Sequence, residues 1–385
     1  MDTKGSHKFR VLFICGSIEP GKDGVGDYTR RLAAVLSETH CTSAIVSVND
    51  KHINIPNIET EDTGLKTYRL PAKNKLKVKI EFIRDAISDF SPNWISLQYV
   101  PYAFQSQGVP LKFINELGSL RRAASWHIMF HEVHLGGVLS VKNHLVKFGQ
   151  IKSVKRLVSK LQPALIHTSN LRYAEMLENL NIEAQILGLF GNIPVLYQPE
   201  GHGSVDSEEL NAIFFGAAPQ EINFHVFGNA ISRFLQKSNA IVKLNFLGRK
   251  SILRDQFAQY LKRVCPTDKL QLKELGQKTP EELSKSFSKA DFAIARVKPS
   301  LLGKSGAAIA MLEHGLKLWV PMAESQAEIE SDFDYRCNQC FASLENLLTN
   351  SDKFTAESRV NEIAKSLVES FGRLASGTQQ RIPKL

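Results

Sequence analysis

Cysteine is scarce in this 385-residue chain: Cys15, Cys41, Cys265, Cys337 and Cys340 form an odd and scattered set. That excludes a disulfide framework. Cys337 and Cys340, in CNQC, have the spacing of half a zinc site, but tetrahedral zinc takes four ligands and no second close pair exists. Structural thiols, and no metal, are therefore expected. No apolar run reaches the roughly eighteen residues that argue for a bilayer-spanning helix. The polar opening MDTKGSHKFR lacks the apolar centre of a signal peptide, so a cytoplasmic location is expected. Low-complexity tracts and short repeats are absent as well.

What is present is an ordinary globular balance, 43% hydrophobic and 23% charged residues, with enough apolar material to bury real cores. The length favours two domains. A net charge of +9 points to an anionic partner without naming it. No nucleic-acid reading motif accompanies that charge, so nucleic acid is not expected.

Short β-rich runs alternate with helical periodicity, the mark of parallel sheets covered by helices. The first half reads as strands at FRVLFIC, TSAIVSV, NWISLQYV, HIMFHEV, ALIHTS and AQILGLF, with helical patterns at Tyr28 to Leu36 and Lys77 to Ile87. The rhythm restarts at NAIFFGA, AIVKLNFLG, LQLKELG, DFAIARV and KLWVP. Between the halves, LFGNIPVLYQPEGHGSVDSEEL has prolines, glycines and no apolar periodicity, as a linker does. The expected architecture is α/β: two Rossmann-like doubly wound domains, residues 1–205 and 206–385, facing a cleft at the carboxyl ends of their strands.

Directly after the first strand, CGSIEPGKDGVGDYTRRLAAVL offers glycine, four residues, glycine and lysine, then Asp23 where a P-loop needs Ser or Thr. In a P-loop the lysine and the helix amides bind phosphate while the hydroxyl holds magnesium. An aspartate there opposes the phosphates, and the helical pattern starts only around Asp27. A second partial match, Gly303-Lys304-Ser305 in KPSLLGKSGAAIAMLEHG, lacks the first glycine because Lys298 stands in its place. Two half-matches in equivalent strand-to-helix turns suggest helix amides offered to an anion rather than a triphosphate site.

GKDGVGDYTRRLAAVL, FHEVH, HTSN and LGLFGNIPV, followed by LNFLGRKSILRDQFAQYL and the run from LQLKELG to KLWVP, resemble in their order the glycosyltransferases of the GT-B fold. The nearest pattern is that of the retaining family-four enzymes, over roughly residues 9 to 325. The resemblance implies hexosyl or glycosyl transfer from a nucleotide-diphosphate sugar to a carbohydrate or lipid-linked acceptor, as in polysaccharide biosynthesis, with an N-terminal acceptor domain, a C-terminal donor domain and no cofactor. Gly24 and Gly26 match the family's glycine loop, where backbone approaches the ligands closely. Asp27 then either caps the following helix or binds a sugar hydroxyl. Gly303, Lys304 and Ser305 match the donor's diphosphate turn. His131 matches a histidine near the transferred sugar, or is a core histidine held by backbone. His131-Glu-Val-His134 is one residue too short for a zinc-binding helix face.

The pattern also departs from the family. Its paired glutamates fall on Leu302 and Ala310, leaving Glu313 as the remaining carboxylate, although three residues of helix rotate it about 300° around the axis. The basic pair expected after the first donor-domain strand is missing from FFGAAPQEINF, so Arg249 and Lys250 are the nearest candidates. A nucleotide-sugar epimerase and a non-catalytic sugar-binding homologue are the rival readings. In the aromatic loop LQYVPYAFQSQGVP, Tyr99 and Gln98 are candidate acceptor contacts. The stretch 141–162 carries Lys142, Lys147, Lys152, Lys155, Arg156 and Lys160 without an acid. It reads as a basic amphipathic helix, either packed inward or lying on an anionic membrane surface.

Overall fold

The computed structural model describes residues 9–39, 41–135, 140–200, 208–216, 223–266 and 268–375. The chain divides into two compact units, Met1–Gly188 with Val360–Leu385, and Leu189–Arg359.

The first unit carries eight strands: β1 (Phe9–Cys15), β2 (Cys41–Asp50), β3 (Asn57–Thr60), β4 (Lys66–Pro71), β5 (Trp94–Tyr99), β6 (Ser125–Phe130), β7 (Leu165–Thr168) and β8 (Gln185–Ile186). They lie in the order β3-β4-β2-β1-β5-β6-β7-β8. All pairings are parallel except β3 with β4. β1 is apolar almost throughout because helices cover both faces of a parallel sheet, and from Val11 to Cys15 its residues are wholly buried. The direction of winding reverses between β1 and β5, where Val11 pairs with Trp94. The antiparallel strand β3 was not expected from sequence; its NIET is mostly exposed and carries no apolar alternation.

The second unit has six strands: β9 (Glu209–Phe215), β10 (Ile241–Leu247), β11 (Leu270–Gly276), β12 (Phe292–Ile294), β13 (Lys317–Trp319) and β14 (Cys340–Phe341). Their order is β11-β10-β9-β12-β13-β14, parallel throughout. Winding here reverses between β9 and β12. Such a reversal opens a crevice at the strands' carboxyl ends. Two apolar clusters line this sheet, one around Phe214, Phe227 and Phe257, the other around Leu302, Ile309 and Phe287.

The expected division at 205/206 is corrected. Residues 201–207 lie outside the described residues, and the compact division falls at 188/189. The final described helix, Val360–Ala375, follows the second unit in the chain but groups with the first. Its Phe371 stacks on Trp94 at 4.2 Å and meets Phe9 and His127 edge-on at 6.0 and 5.7 Å. Aromatic rings buried together dominate local packing energies, and this cluster holds the helix to the first sheet. The cysteines are free thiols. Burial pushes Cys41 up to about 12 and Cys265 up to about 11, as for inert core thiols.

Candidate functional site

In the first unit the glycine loop joins β1 to the helix Gly24–Thr39, which starts three residues earlier than its periodicity suggests. Gly26 must be glycine: a Cβ would collide with the Ser17 carbonyl oxygen. Asp23 caps the helix, its Oδ1 accepting from the amides of Val25 and Gly26 at 2.9 Å each. The capping role read for Asp27 therefore falls to Asp23. Asp27 instead accepts from the Gly21 amide at 2.9 Å and staples the loop to the first helical turn. A carboxylate already holds the amides that a phosphate would need, so this turn is not a P-loop.

His131 follows β6 and donates its backbone amide to the Tyr99 carbonyl, which ties it to the end of β5. Its Nε2 and Gln98 Oε1 lie 2.8 Å apart, and the Tyr28 ring meets the imidazole edge-on at 5.0 Å. Gln98 and His131, proposed separately from sequence, are thus bonded partners. Burial pulls the His131 imidazole down to about 3, so it is neutral at physiological pH. Tyr99 is 1% exposed and stacks on Phe104. Its ring face is occupied by the core, which corrects its reading as a platform for sugar. Burial raises its phenol, whose hydroxyl has no hydrogen-bond partner among the described residues.

In the second unit the strand ends carry glycines with left-handed backbone: Gly216 after β9 at φ +95°, and Gly248 after β10 at φ +92°. The two touch, since a Cβ on Gly248 would lie 3.1 Å from the Gly216 Cα. Arg296, two residues past β12, lays its guanidinium against Gly216; a Cβ there would sit 3.0 Å from Arg296 Cζ. Burial lowers this guanidine, although arginine stays charged in proteins. Arg254 is buried beneath the next turn, donating to the carbonyl of Leu247 at 3.1 Å and pairing with Glu274 at 2.7 Å. Sequence reading missed both arginines. Arg296 falls inside the run DFAIARV, which reads as a strand, although a base directly after a buried apolar run is the signal that marks it.

Arg249 and Lys250 lie exposed after Gly248, and Lys250 sits 3.7 Å from Asp255 as a solvated ion pair of little energetic weight. Gly303 and Lys304 close the short 3-10 turn Pro299–Lys304. Ser305 caps the helix Gly306–Glu313, accepting from the Ala308 amide at 3.2 Å. Glu313 is not a ribose ligand here. It is wholly buried, and its Oε1 accepts from the amides of Gly191 at 3.0 Å and Arg359 at 3.2 Å, clasping two chain segments. Leu302 and Ala310, where the family's glutamates fall, are also wholly buried. Gly191 packs so closely on Ala310 that a Cβ would lie 2.6 Å from the Ala310 Cα.

The basic stretch forms one helix, Val141–Leu161. The side chains of Val141 and Lys142 lie outside the described residues. Val154, Leu157 and Leu161 face the core, whereas Leu145 and Phe148 are 71% and 70% exposed. Lys152, Lys155 and Arg156 continue outward beyond them. Among the described residues no helix is long and apolar enough to cross a membrane, and no group of three His, Cys, Asp or Glu is placed to hold a metal ion.

This architecture is shared with solved structures over nearly the whole chain. The catalytic domain of starch synthase IV from Arabidopsis thaliana, bound to ADP and acarbose, matches at TM-score 0.53 and 13% identity, covering 96% of this chain and 99% of that one. HepE from Anabaena, in complex with UDP and glucose, matches at TM-score 0.55 and 9% identity over 94% and 99%. A Listeria monocytogenes protein described as a UDP-N-acetylglucosamine 2-epimerase matches at TM-score 0.53 and 9% identity over 98% and 99%. The fold is therefore GT-B, two Rossmann-like domains, as the resemblance to glycosyltransferases implies. No protein-family model matches the sequence, nor does any curated protein sequence.

Proposed function

We propose that the chain is a glycosyltransferase that moves a sugar from a nucleotide-diphosphate donor to a carbohydrate or lipid-linked acceptor, with retention of configuration and without a metal. The observation that carries this reading is Arg296 laid on the Gly216 backbone at the winding reversal of the second sheet. Open α/β sheets bind ligands at that point. A guanidinium there supplies the cation that the turn after β9 lacks in sequence, and its fork suits two phosphate oxygens at once.

In the proposed reaction the bond from the sugar's anomeric carbon to the diphosphate oxygen breaks, and a bond to the acceptor hydroxyl oxygen forms on the same face. The acceptor's proton passes to the departing phosphate. Arg296, Lys304 and Arg249 stabilise the charge that develops on that phosphate. In the first unit, neutral His131 accepts a hydrogen bond from a hydroxyl of a bound sugar. The exposed Leu145 and Phe148, followed by lysines, support an acceptor at an anionic lipid surface. Cosedimentation with phosphatidylglycerol vesicles at low salt tests that surface, and no binding would remove it.

A thermal-shift panel of nucleoside diphosphates, with and without magnesium, tests the donor site. One nucleotide is expected to stabilise the wild type in either condition and to lose that effect in Arg296→Ala. Equal stabilisation of the variant would refute the assignment. The buried, apolar Leu302 and Ala310 favour a second reading, a sugar-nucleotide binder without turnover. Affinity without release of nucleoside diphosphate across a panel of donors and acceptors would select it.

A further inference from the structure

Behind His131 lies a row of polar side chains buried in otherwise apolar strands. Ser96 and Gln98 on β5, His127 on β6 and His167 on β7 stand at alternate positions, and so project to one face of the sheet. The parallel register sets Ser96 opposite His127 and Gln98 opposite Met129, which in turn pairs with His167. All four side chains are at most 2% exposed.

Their contacts form an unbroken series. Gln98 Oε1 lies 2.8 Å from His131 Nε2, and Gln98 Nε2 donates to Ser96 Oγ at 2.8 Å. Ser96 Oγ lies 2.8 Å from His127 Nδ1, and His127 Nε2 lies 3.1 Å from His167 Nδ1. Donor and acceptor counting fixes the direction at the His131 end. Gln98 offers only lone pairs at Oε1, so His131 must carry its proton on Nε2. Ser96 accepts from Gln98 with one lone pair, and a series running one way spends its proton on His127 Nδ1. His127 is then protonated on Nε2 and donates to His167 Nδ1. His167 in turn keeps its proton on Nε2, and Gln185 hydrogen-bonds its side chain. Burial disfavours the imidazolium form at all three histidines, so each stays a neutral ring with one donor and one acceptor.

We propose that Gln98, Ser96, His127 and His167 are positioning residues: one unidirectional hydrogen-bond chain holds His131 as the Nε2–H tautomer and presents Nδ1 as an acceptor for a hydroxyl donor. The hydroxyl as ligand rests on the glycosyl-transfer reading above; the tautomer does not. A ring so held accepts from a sugar hydroxyl and repels anionic oxygen, which sets the chemical selectivity of this corner of the first unit. Each bond polarises the next, so a break anywhere along the series releases the tautomer at its end.

Long-range proton–nitrogen correlation on the nitrogen-15-labelled full chain at neutral pH reads the tautomers directly, with signals assigned by single His→Asn replacements. His127, His131 and His167 are each expected to show a pyrrole-type Nε2 and a pyridine-type Nδ1. A proton on Nδ1 of any of the three would overturn the proposal. In Ser96→Ala the Gln98 amide loses its acceptor and is free to turn over, so His131 should populate both tautomers; Ser96→Thr, which keeps the hydroxyl, should restore the single form. An unchanged His131 signature in Ser96→Ala would also overturn it. If Ser96→Ala fails to fold, the wild-type spectrum decides alone. The readout needs no substrate. Indifference to every nucleotide would therefore sink the transferase reading and leave the chain standing, whereas the wrong tautomer would do the reverse.

Discussion

The glycine turns after β1 and after β9 are met by side chains of opposite charge. After β1, the helix N-terminus is filled by the chain's own Asp23 carboxylate, and Glu19 nearby pairs with Arg69 at 2.6 Å. After β9, Gly216 lies beneath the Arg296 guanidinium, and the next turn is underpinned by Arg254. The first turn has answered its helix dipole internally, while a guanidinium lies against the glycine backbone of the second. Glycine spacing alone does not make a phosphate site; the sign of the side chain that reaches the turn decides.

Acid should separate the two units most strongly. His131 and His167 are pulled by burial to about 3 and about 4, below the ordinary value of 6.5. Below pH 6.5 the unfolded chain therefore binds protons that the folded chain refuses. Stability is intact at neutral pH and lost as the pH falls through 6.5 toward those folded-state values, by about 1.4 kcal/mol per pH unit for each histidine. Hydrogen exchange at pH 5 should show β5 to β7 opening before β9 to β12. The reverse order would break the contrast.

Next in size, Ala310→Glu restores a family carboxylate where Gly191 leaves no room. Overpacking and a buried charge together should cost about 3–5 kcal/mol, read as a lowered urea midpoint. Wild-type stability with gained nucleotide affinity would contradict the packing argument. Arg296→Ala, which removes one charge-assisted contact, should weaken nucleoside diphosphate binding by about 10- to 100-fold in calorimetry. The smallest change is Asp23→Ser, which completes the P-loop pattern. It should alter stability by only a few tenths of a kcal/mol, since serine also caps well, and should leave ATP and GTP unbound.

Most of the fold could be read in the chain's alternation, because strands buried on both faces are long apolar runs and the helices between them are amphipathic. β3, β4 and β14 escaped: NIET is an exposed edge strand, Cys340–Phe341 spans two residues, and KTYRLP carries charged residues and a proline although it is buried. The site was less legible. Asp23 could have been found, since aspartate before Gly-Val-Gly is an N-cap signal. Gln98 and His131 were both singled out, yet their bond depends on the register between β5 and β6, which spacing along the chain does not encode. Glu313 misled for the same reason: a carboxylate near the expected ribose position turned out to hold the amides of Gly191 and Arg359, each distant in sequence.

The last helix gives the molecule an order of assembly. Because Val360–Ala375 completes the first unit, residues 189–359 are an insertion within it rather than an appendage. On the ribosome the inserted unit emerges whole while the sheet that precedes it still waits for Phe371 to cover Trp94 and His127. The unit begun first is therefore finished last, and until then its aromatic face is the surface a chaperone would meet.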